Sequence, residues 1–561
     1  MEYLDARRLT GPNVLWNRPG SILDVVCTPE EADRLIPFCE AAIRRMLNAV
    51  GWGEEAICHL RLLGGVSFAF SAPIDALYAA SAINEWAWSA CDAEFNGASA
   101  DDFDEKVAEI REAINEEVNP PLLELERAAG EHGVAFLWDD DEVSLGHGSK
   151  SEIWPFRSLP EPSALDWSDF SNVPVGIVTG TNGKTTTVRI AKHIVQAAGR
   201  TVGLSCTDWV SVNDEIIDRD DWSGPGGARM VLRQPGIETA ILETARGGLL
   251  RRGLGVESAD VSLITNIAED HLGDFGSQSV NELLDIKWVI SHAVEKDGTL
   301  VLNADDALLV NKSRSFGGRI VWFSLQPDNP VVSKHLDNGG VAWLHVDGDI
   351  VRAEGTERVR LCSAAQVPIT LDGAALHNVA NAMGAAAMTE CLGLSSEEIA
   401  DGLKSMSQDD NPGRSNLFDV EGFRVLVDFA HNPEAMKALF AMASAVEADR
   451  RVLCFGQAGD RTDEQIRELT RSAWGIGLDR VIVSELAHYR RGREPGAVYD
   501  IIRDELKRCG ADESQVLHFE EEADSFDAAL DWADPGDLVV ILDLGRVSNI
   551  QEKLAARASK T

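Results

Sequence analysis

Short apolar runs alternate with helix-period stretches over most of the chain, and this alternation predicts the fold class. Pro174–Val178 reads as a strand, and Val188, Ala191, Ile194, Val195 and Ala198 after it fall on one helical face. Further apolar runs stand at Gly203–Cys206, Thr239–Leu242, Val261–Ile264, Thr299–Leu302 and Ile320–Phe323. Buried strands separated by helices predict an α/β domain with a mainly parallel sheet. Between about 330 and 373 the strands shorten and helical patterns fade, which predicts a small β insertion. A helix over Asn378–Leu392 follows, stopped by Gly393, and Ser395-Ser396-Glu397-Glu398 caps the next.

Asp409-Asp410-Asn411-Pro412-Gly413 punctuates the chain, and the alternation then resumes at Val425–Val427, Val452–Phe455, Val481–Val483 and Leu538–Leu542. This predicts a C-terminal Rossmann-like α/β domain. The opening region differs. Thr28-Pro29-Glu30-Glu31 is a capping box with proline at the first helical position, predicting a helix to about Val50. Two strands are expected within 57–71, an alanine-rich helix over 74–91, and a hairpin over Val134–Leu145 turned by Asp139-Asp140-Asp141. The expected organisation is a small α+β domain (1–150), a linker (151–172), a central domain (173–411) and a C-terminal domain (412–561).

Composition narrows the function classes. The 561 residues are 44% hydrophobic and 25% charged, ordinary for a globular protein, but the formal net charge is -41. That sign opposes a nucleic-acid partner, whose phosphates would be repelled. It leaves solubility, salt adaptation and attraction of a cationic substrate open. Nine cysteines show no C-x-x-C spacing, so no zinc or redox motif emerges. No run approaches the roughly 20 apolar residues that cross a membrane. The start lacks a signal-peptide pattern, and the expected location is cytoplasmic.

The sharpest chemistry lies between the first predicted strand and helix of the central domain. Gly180-Thr181-Asn182-Gly183-Lys184-Thr185-Thr186 places glycines where backbone N–H groups converge on phosphate oxygens at a helix N-terminus. Lys184 suits β/γ-phosphate charge, and the Thr185 hydroxyl suits Mg²⁺. The glycine spacing is shorter than in the usual phosphate loop.

That shorter form resembles the Mur ligases, and later landmarks follow in their order. Glu243-Thr244-Ala245-Arg246-Gly247-Gly248, Thr265-Asn266-Ile267, Asp270-His271-Leu272-Gly273 and Asn303-Ala304-Asp305-Asp306 resemble the Mur-like half of the cyanophycin synthetases. His377-Asn378-x-x-Asn381, Pro412-Gly413-Arg414, Asp428-Phe429-Ala430-His431-Asn432-Pro433, Gly459-Asp460-Arg461 and Arg490-Arg491-Gly492-Arg493 continue the match to about residue 550. Leu9–Trp16 and Leu145–Gly148 more weakly resemble the N-terminal domain of those enzymes. Their ATP-grasp domain, which lies between these two parts, has no counterpart here.

The resemblance implies an ADP-forming ligase that joins a carboxylate acceptor to an amino acid through an acyl phosphate. ATP and Mg²⁺ would be required. Lys184 and the loop amides would hold the phosphates, with Glu243 and His271 joining Thr185 at the metal. A lone histidine is also a common structural residue. Lys287 stands where many Mur ligases carbamylate a lysine, although a surface lysine would read the same. Asn378 and Asn381 would face the base, Arg414 the γ-phosphate and Asp428 the ribose. Arg246, His431, Asn432, Arg461, Arg491 and Arg493 are candidate substrate-binding groups, the last three equally readable as surface charge. Gly496-Ala497 replaces the Gly-Glu pair of cyanophycin synthetases, leaving the incoming amino acid open. Two alternatives stand beside this reading: a polyglutamate-type ligase, and a non-catalytic nucleotide-binding subunit beside a separate ATP-grasp enzyme. Homo-oligomerisation stays open.

Overall fold

The computed structural model describes residues 1–561 apart from 98–101, 271–277, 460, 544–549, 551, 552, 555, 556 and 558–561. The chain divides into two compact units. One holds Met1–Val346, Val351–Leu361 and Asn381–Gly402, and the other holds Asp347–Ile350, Cys362–Ala380 and Leu403–Thr561.

The N-terminal module is built on four antiparallel strands: Glu2–Leu9, Gly20–Val26, Gly65–Ser71 and Ile57–Leu62, in that spatial order. The Pro29–Val50 helix begins as its sequence predicts. Thr28 accepts from the Glu31 N–H while the Glu31 carboxylate accepts from the Thr28 N–H, and Gly51 closes the helix in the left-handed region. The alanine-rich helix spans Leu77–Asn96. Helices Phe103–Glu117 and Pro120–His132 follow, the first capped by Asp102 and the second opened by proline. The hairpin forms from Phe136–Trp138 and Glu142–Leu145. The stretch read as a linker is instead built into this module. Glu152–Pro155 adds a third strand, and Trp154, Trp167 and Phe170 pack against buried Leu122 and Leu125.

The glycine-rich loop after Val175–Thr179 sits in an 11-stranded sheet. Its parallel centre runs, in space, Val202–Ser205, Thr239–Glu243, Val175–Thr179, Ala259–Ile264, Val294–Asn303, Arg319–Ser324 and Val341–Val346. Connections from Val175–Thr179 leave first to one side and later to the other, so this strand marks the topological switch point where open α/β sheets bind ligands. The expected small β insertion is corrected on one count. Pro330–Asp337 is a helix, because Asn329 caps it with bonds from Val331 and Val332 and proline opens it. The strands Val341–Val346, Asp349–Glu354 and Glu357–Ser363 continue the large sheet at its edge.

In the second unit, Asn416–Val420 pairs antiparallel with Phe423–Asp428. The strands Leu538–Leu542, Arg451–Phe455, Arg480–Ser484 and Val516–Phe519 continue that sheet in parallel. This is the predicted α/β architecture. No helix among the described residues is long and apolar enough to cross a membrane.

Candidate functional site

The phosphate loop leaves the C-terminal end of Val175–Thr179 and enters the Lys184–Ala197 helix. Two glycines are sterically required. A Cβ on Gly180 would stand 1.9 Å from Thr265 Oγ1, and one on Gly183, whose φ is +82°, would stand 2.3 Å from Asn381 Oδ1. The loop is braced from the neighbouring strand end. The Thr181 N–H donates to the Asn266 carbonyl at 2.8 Å, the Asn182 N–H donates to Asn266 Oδ1 at 3.0 Å, and Thr265 Oγ1 donates to the Asn182 carbonyl at 2.6 Å. Lys184 is half-buried, its ammonium donating back to the Thr181 carbonyl at 2.9 Å.

Glu243 ends the adjacent strand and is 1% exposed. Its carboxylate accepts from Thr185 Oγ1 at 3.1 Å, from Thr207 Oγ1 at 2.8 Å and from the Thr207 N–H at 3.1 Å. Three donors reconcile a buried carboxylate with its surroundings, since a buried charge without partners would be costly. Thr207 was not among the expected site residues. The signal for it is positional: it lies two residues beyond the Val202–Ser205 strand, at the ligand-binding end of the sheet.

Lys287 is not a surface lysine. It is 4% exposed, and its ammonium donates to the Gly180 carbonyl at 2.7 Å. Burial pushes its pKa well below the ordinary lysine value, and Lys184 and Arg246 push the same way against Asp270 and Glu243. Lys184, Glu243, Lys287 and Arg246 therefore share one electrostatic neighbourhood. His271 lies outside the described residues.

The two expected adenine-site asparagines separate. Asn381 faces the phosphate loop, 3.4 Å from Thr187 Oγ1, whereas Asn378 donates to the Ile369 carbonyl at 2.8 Å. In the second unit, Asp428 accepts from the Ser415 N–H and hydroxyl at 2.6 and 2.9 Å and from the Ala430 N–H at 2.7 Å. His377 meets the same Ser415 hydroxyl at 3.1 Å. Arg414 stacks on Phe429 at 4.4 Å.

Of the other candidates, Asn432 caps the Pro433–Ala445 helix by accepting from the Ala435 N–H at 3.0 Å. His431 Nδ1 stands 3.1 Å from the Phe429 carbonyl. Arg493 spends its fork internally, on the Gly459 and Arg461 carbonyls at 2.8 and 2.6 Å and on Asp463 at 2.8 Å. It thereby ties the Arg461 segment to its own loop. Arg491 is exposed, with φ of +49°.

Residues 178–389 match the Mur ligase middle domain, and residues 413–542 match the Mur ligase glutamate ligase domain. The chain therefore carries the middle and C-terminal domains of the Mur ligase family. It is 36% identical to the cyanophycin synthetase of Geminocystis herdmanii over 411 residues, covering 71% of this chain and 46% of that protein. It is 25% identical to the UDP-N-acetylmuramoyl-L-alanyl-D-glutamate--2,6-diaminopimelate ligase of Bacillus licheniformis, covering 66% of this chain and 72% of that one. The chain spans about half the length of the cyanophycin synthetases it matches. Among solved structures, E. coli FolC in complex with DHPP and ADP superposes with a TM-score of 0.50 at 21% identity, over 68% of this chain and 89% of that one. That likeness is one of fold.

Proposed function

We propose that this protein is an ATP-dependent ligase that joins a carboxylate acceptor to an amino acid, releasing ADP and phosphate. One observation carries the reading: the glycine-constrained loop, the buried Thr185–Glu243–Thr207 cluster and buried Lys287 converge at the sheet's switch point. The chemistry requires this kind of site. A carboxylate does not acylate an amine at neutral pH because oxide is too poor a leaving group. When a carboxylate oxygen attacks the γ-phosphorus, ADP leaves and an acyl phosphate forms. Amine attack at its carbonyl carbon then expels phosphate and releases a proton.

The residues divide this work by position. Backbone N–H groups from Gly183 into the first turn of the Lys184–Ala197 helix cradle phosphate oxygens, and Lys184 neutralises charge as it moves to the bridging oxygen. The Thr185 hydroxyl and Glu243 carboxylate form a hard-oxygen pair that fits Mg²⁺, which is typically held by one or two carboxylates with phosphate and water. Bound there, Mg²⁺ would offset charge on the transferring phosphoryl group. Burial lowers the pKa of Lys287, which favours its neutral form; that amine would add to CO2 with loss of a proton, and the resulting carbamate would hold an anion against the crowded cations Lys184 and Arg246. Asn381 stands beside the loop to meet the nucleotide.

The test is a screen of ADP formation across carboxylate acceptors and amino acids, with mass spectrometry of products. ADP formation that needs both partners and accompanies an amide product supports the proposal. ATP hydrolysis indifferent to every pair, with no condensation product, overturns it.

A further inference from the structure

A cavity of about 120 Å³ lies on the seam between the N-terminal module and the ATP-binding domain, lined in part by Arg8, Trp138, Asp139, Asp140, Arg229 and Arg252. That volume is ion-sized, well below the few hundred Å³ of a typical ligand pocket. The two sides meet through main-chain bonds, Thr10 N–H to the Arg252 carbonyl at 2.8 Å and Leu254 N–H to the Pro12 carbonyl at 2.7 Å.

The charges around the cavity do not balance. Asp140 is committed to Arg8 through bonds of 2.6 and 3.0 Å and to the Tyr78 hydroxyl at 2.7 Å. Asp139 is committed to Arg233 at 2.5 Å, with Glu142 also 3.3 Å from that guanidinium. Arg229 and Arg252 remain. Among the described residues, the side chain of Arg229 reaches a carboxylate only at 3.6 Å, and that of Arg252 donates only to the Arg8 carbonyl at 3.3 Å. Burial lowers the pKa of both, and Arg8 presses Arg252 further down. Two guanidinium forks, one with its nearest carboxylate at 3.6 Å and the other bonded only to a main-chain carbonyl, line one small cavity and favour an added anion there.

We propose that this seam cavity binds a small oxyanion, a phosphate or carboxylate group, between Arg229 and Arg252. The site is separate from the phosphate loop and does not depend on the ligase reading. Both arginines are carried by the ATP-binding domain, and Arg8, Trp138, Asp139 and Asp140 of the N-terminal module wall the other side of the cavity.

Inorganic phosphate and succinate are titrated calorimetrically into the full chain, with the phosphate loop first saturated by Mg²⁺ and ADP. Wild type is expected to bind at least one of them with millimolar affinity that weakens as salt rises. Arg229→Gln/Arg252→Gln is expected to weaken that binding at least tenfold while ADP affinity is unchanged. Binding of phosphate alone assigns a phosphate source, and binding of succinate alone or of both includes carboxylates; each supports the site. Absence of binding by wild type, or equal binding by wild type and the double variant, overturns it. If the double variant fails to fold, Arg252→Lys decides, because it keeps the charge and loses the fork. Weaker oxyanion binding with intact ADP binding supports the proposal, and unchanged binding overturns it.

Discussion

Arg7→Met should strongly destabilise the N-terminal module. Arg7 and Asp24 form an ion pair at 2.5 Å, with side chains 7% and 5% exposed. Ser67 donates to the other Asp24 oxygen at 2.5 Å, and the Arg7 Nε and Nη2 donate to the Leu250 carbonyl at 3.2 and 2.8 Å. Methionine fills much of the arginine stem but strands the Asp24 carboxylate in a dry setting. Breaking one side of a buried pair typically costs about 3–5 kcal/mol. For a module of about 150 residues, at roughly 2–4 °C per kcal/mol, this lowers melting by about 6–20 °C. Arg7→Met/Asp24→Leu removes both charges and should recover at least half the loss, the remainder reflecting the Leu250 carbonyl left without its donors. Calorimetry and urea unfolding of the full chain, followed by near-ultraviolet signals from the module's tryptophans, measure both. A single-variant loss below about 1 kcal/mol, or a double variant no better than the single, would refute the argument that the pair's burial governs its energetics.

Three further outcomes follow from the site. Glu243→Gln keeps the shape and an acceptor for Thr185 and Thr207 but removes the charge; turnover at saturating ATP should fall by about 100-fold or more, with melting changed little. Gly183→Ala forces a side chain into a left-handed backbone against Asn381, so ATP affinity should drop sharply in a binding titration while bulk secondary structure persists. Lys287 has a folded pKa below its unfolded one, so the unfolded chain holds more protons between the two values and stability should rise with pH there, by up to about 1.4 kcal/mol per pH unit. In CO2-free buffer, urea titrations from pH 7 to 10 should show this slope in wild type and not in Lys287→Met; parallel profiles would contradict the assignment of a buried, depressed lysine.

The parts legible in the sequence were those with strict local chemistry. Apolar runs bounded by helical periods located the parallel strands, because a strand buried on both faces has few polar positions. The Thr28–Glu31 capping box located its helix to the residue. Pro330–Asp337 escaped because an eight-residue helix gives barely two turns of pattern, although Asn329-Pro330 is itself a start signal. The supposed linker escaped because Trp154, Trp167 and Phe170 bury themselves without periodicity. Within the site, the loop glycines, Lys184, Thr185 and Glu243 could be named from their motif. Thr207 could not, since its role comes from strand order, which brings Val202–Ser205 beside Thr239–Glu243. Arg493 and Asn432 show the converse: polar residues in a suggestive motif can be used up holding their own loop or helix.

The acyl phosphate is the centre of the account, and an isotope experiment addresses it directly. An acceptor found active in the screen is labelled with oxygen-18 in its carboxylate and turned over with unlabelled ATP in unlabelled water. If the carboxylate attacks the γ-phosphorus and phosphate later leaves from the acyl carbon, each amide formed must deliver one labelled oxygen to the released phosphate. Phosphate carrying no label, from reactions that still yield the amide, would contradict the account.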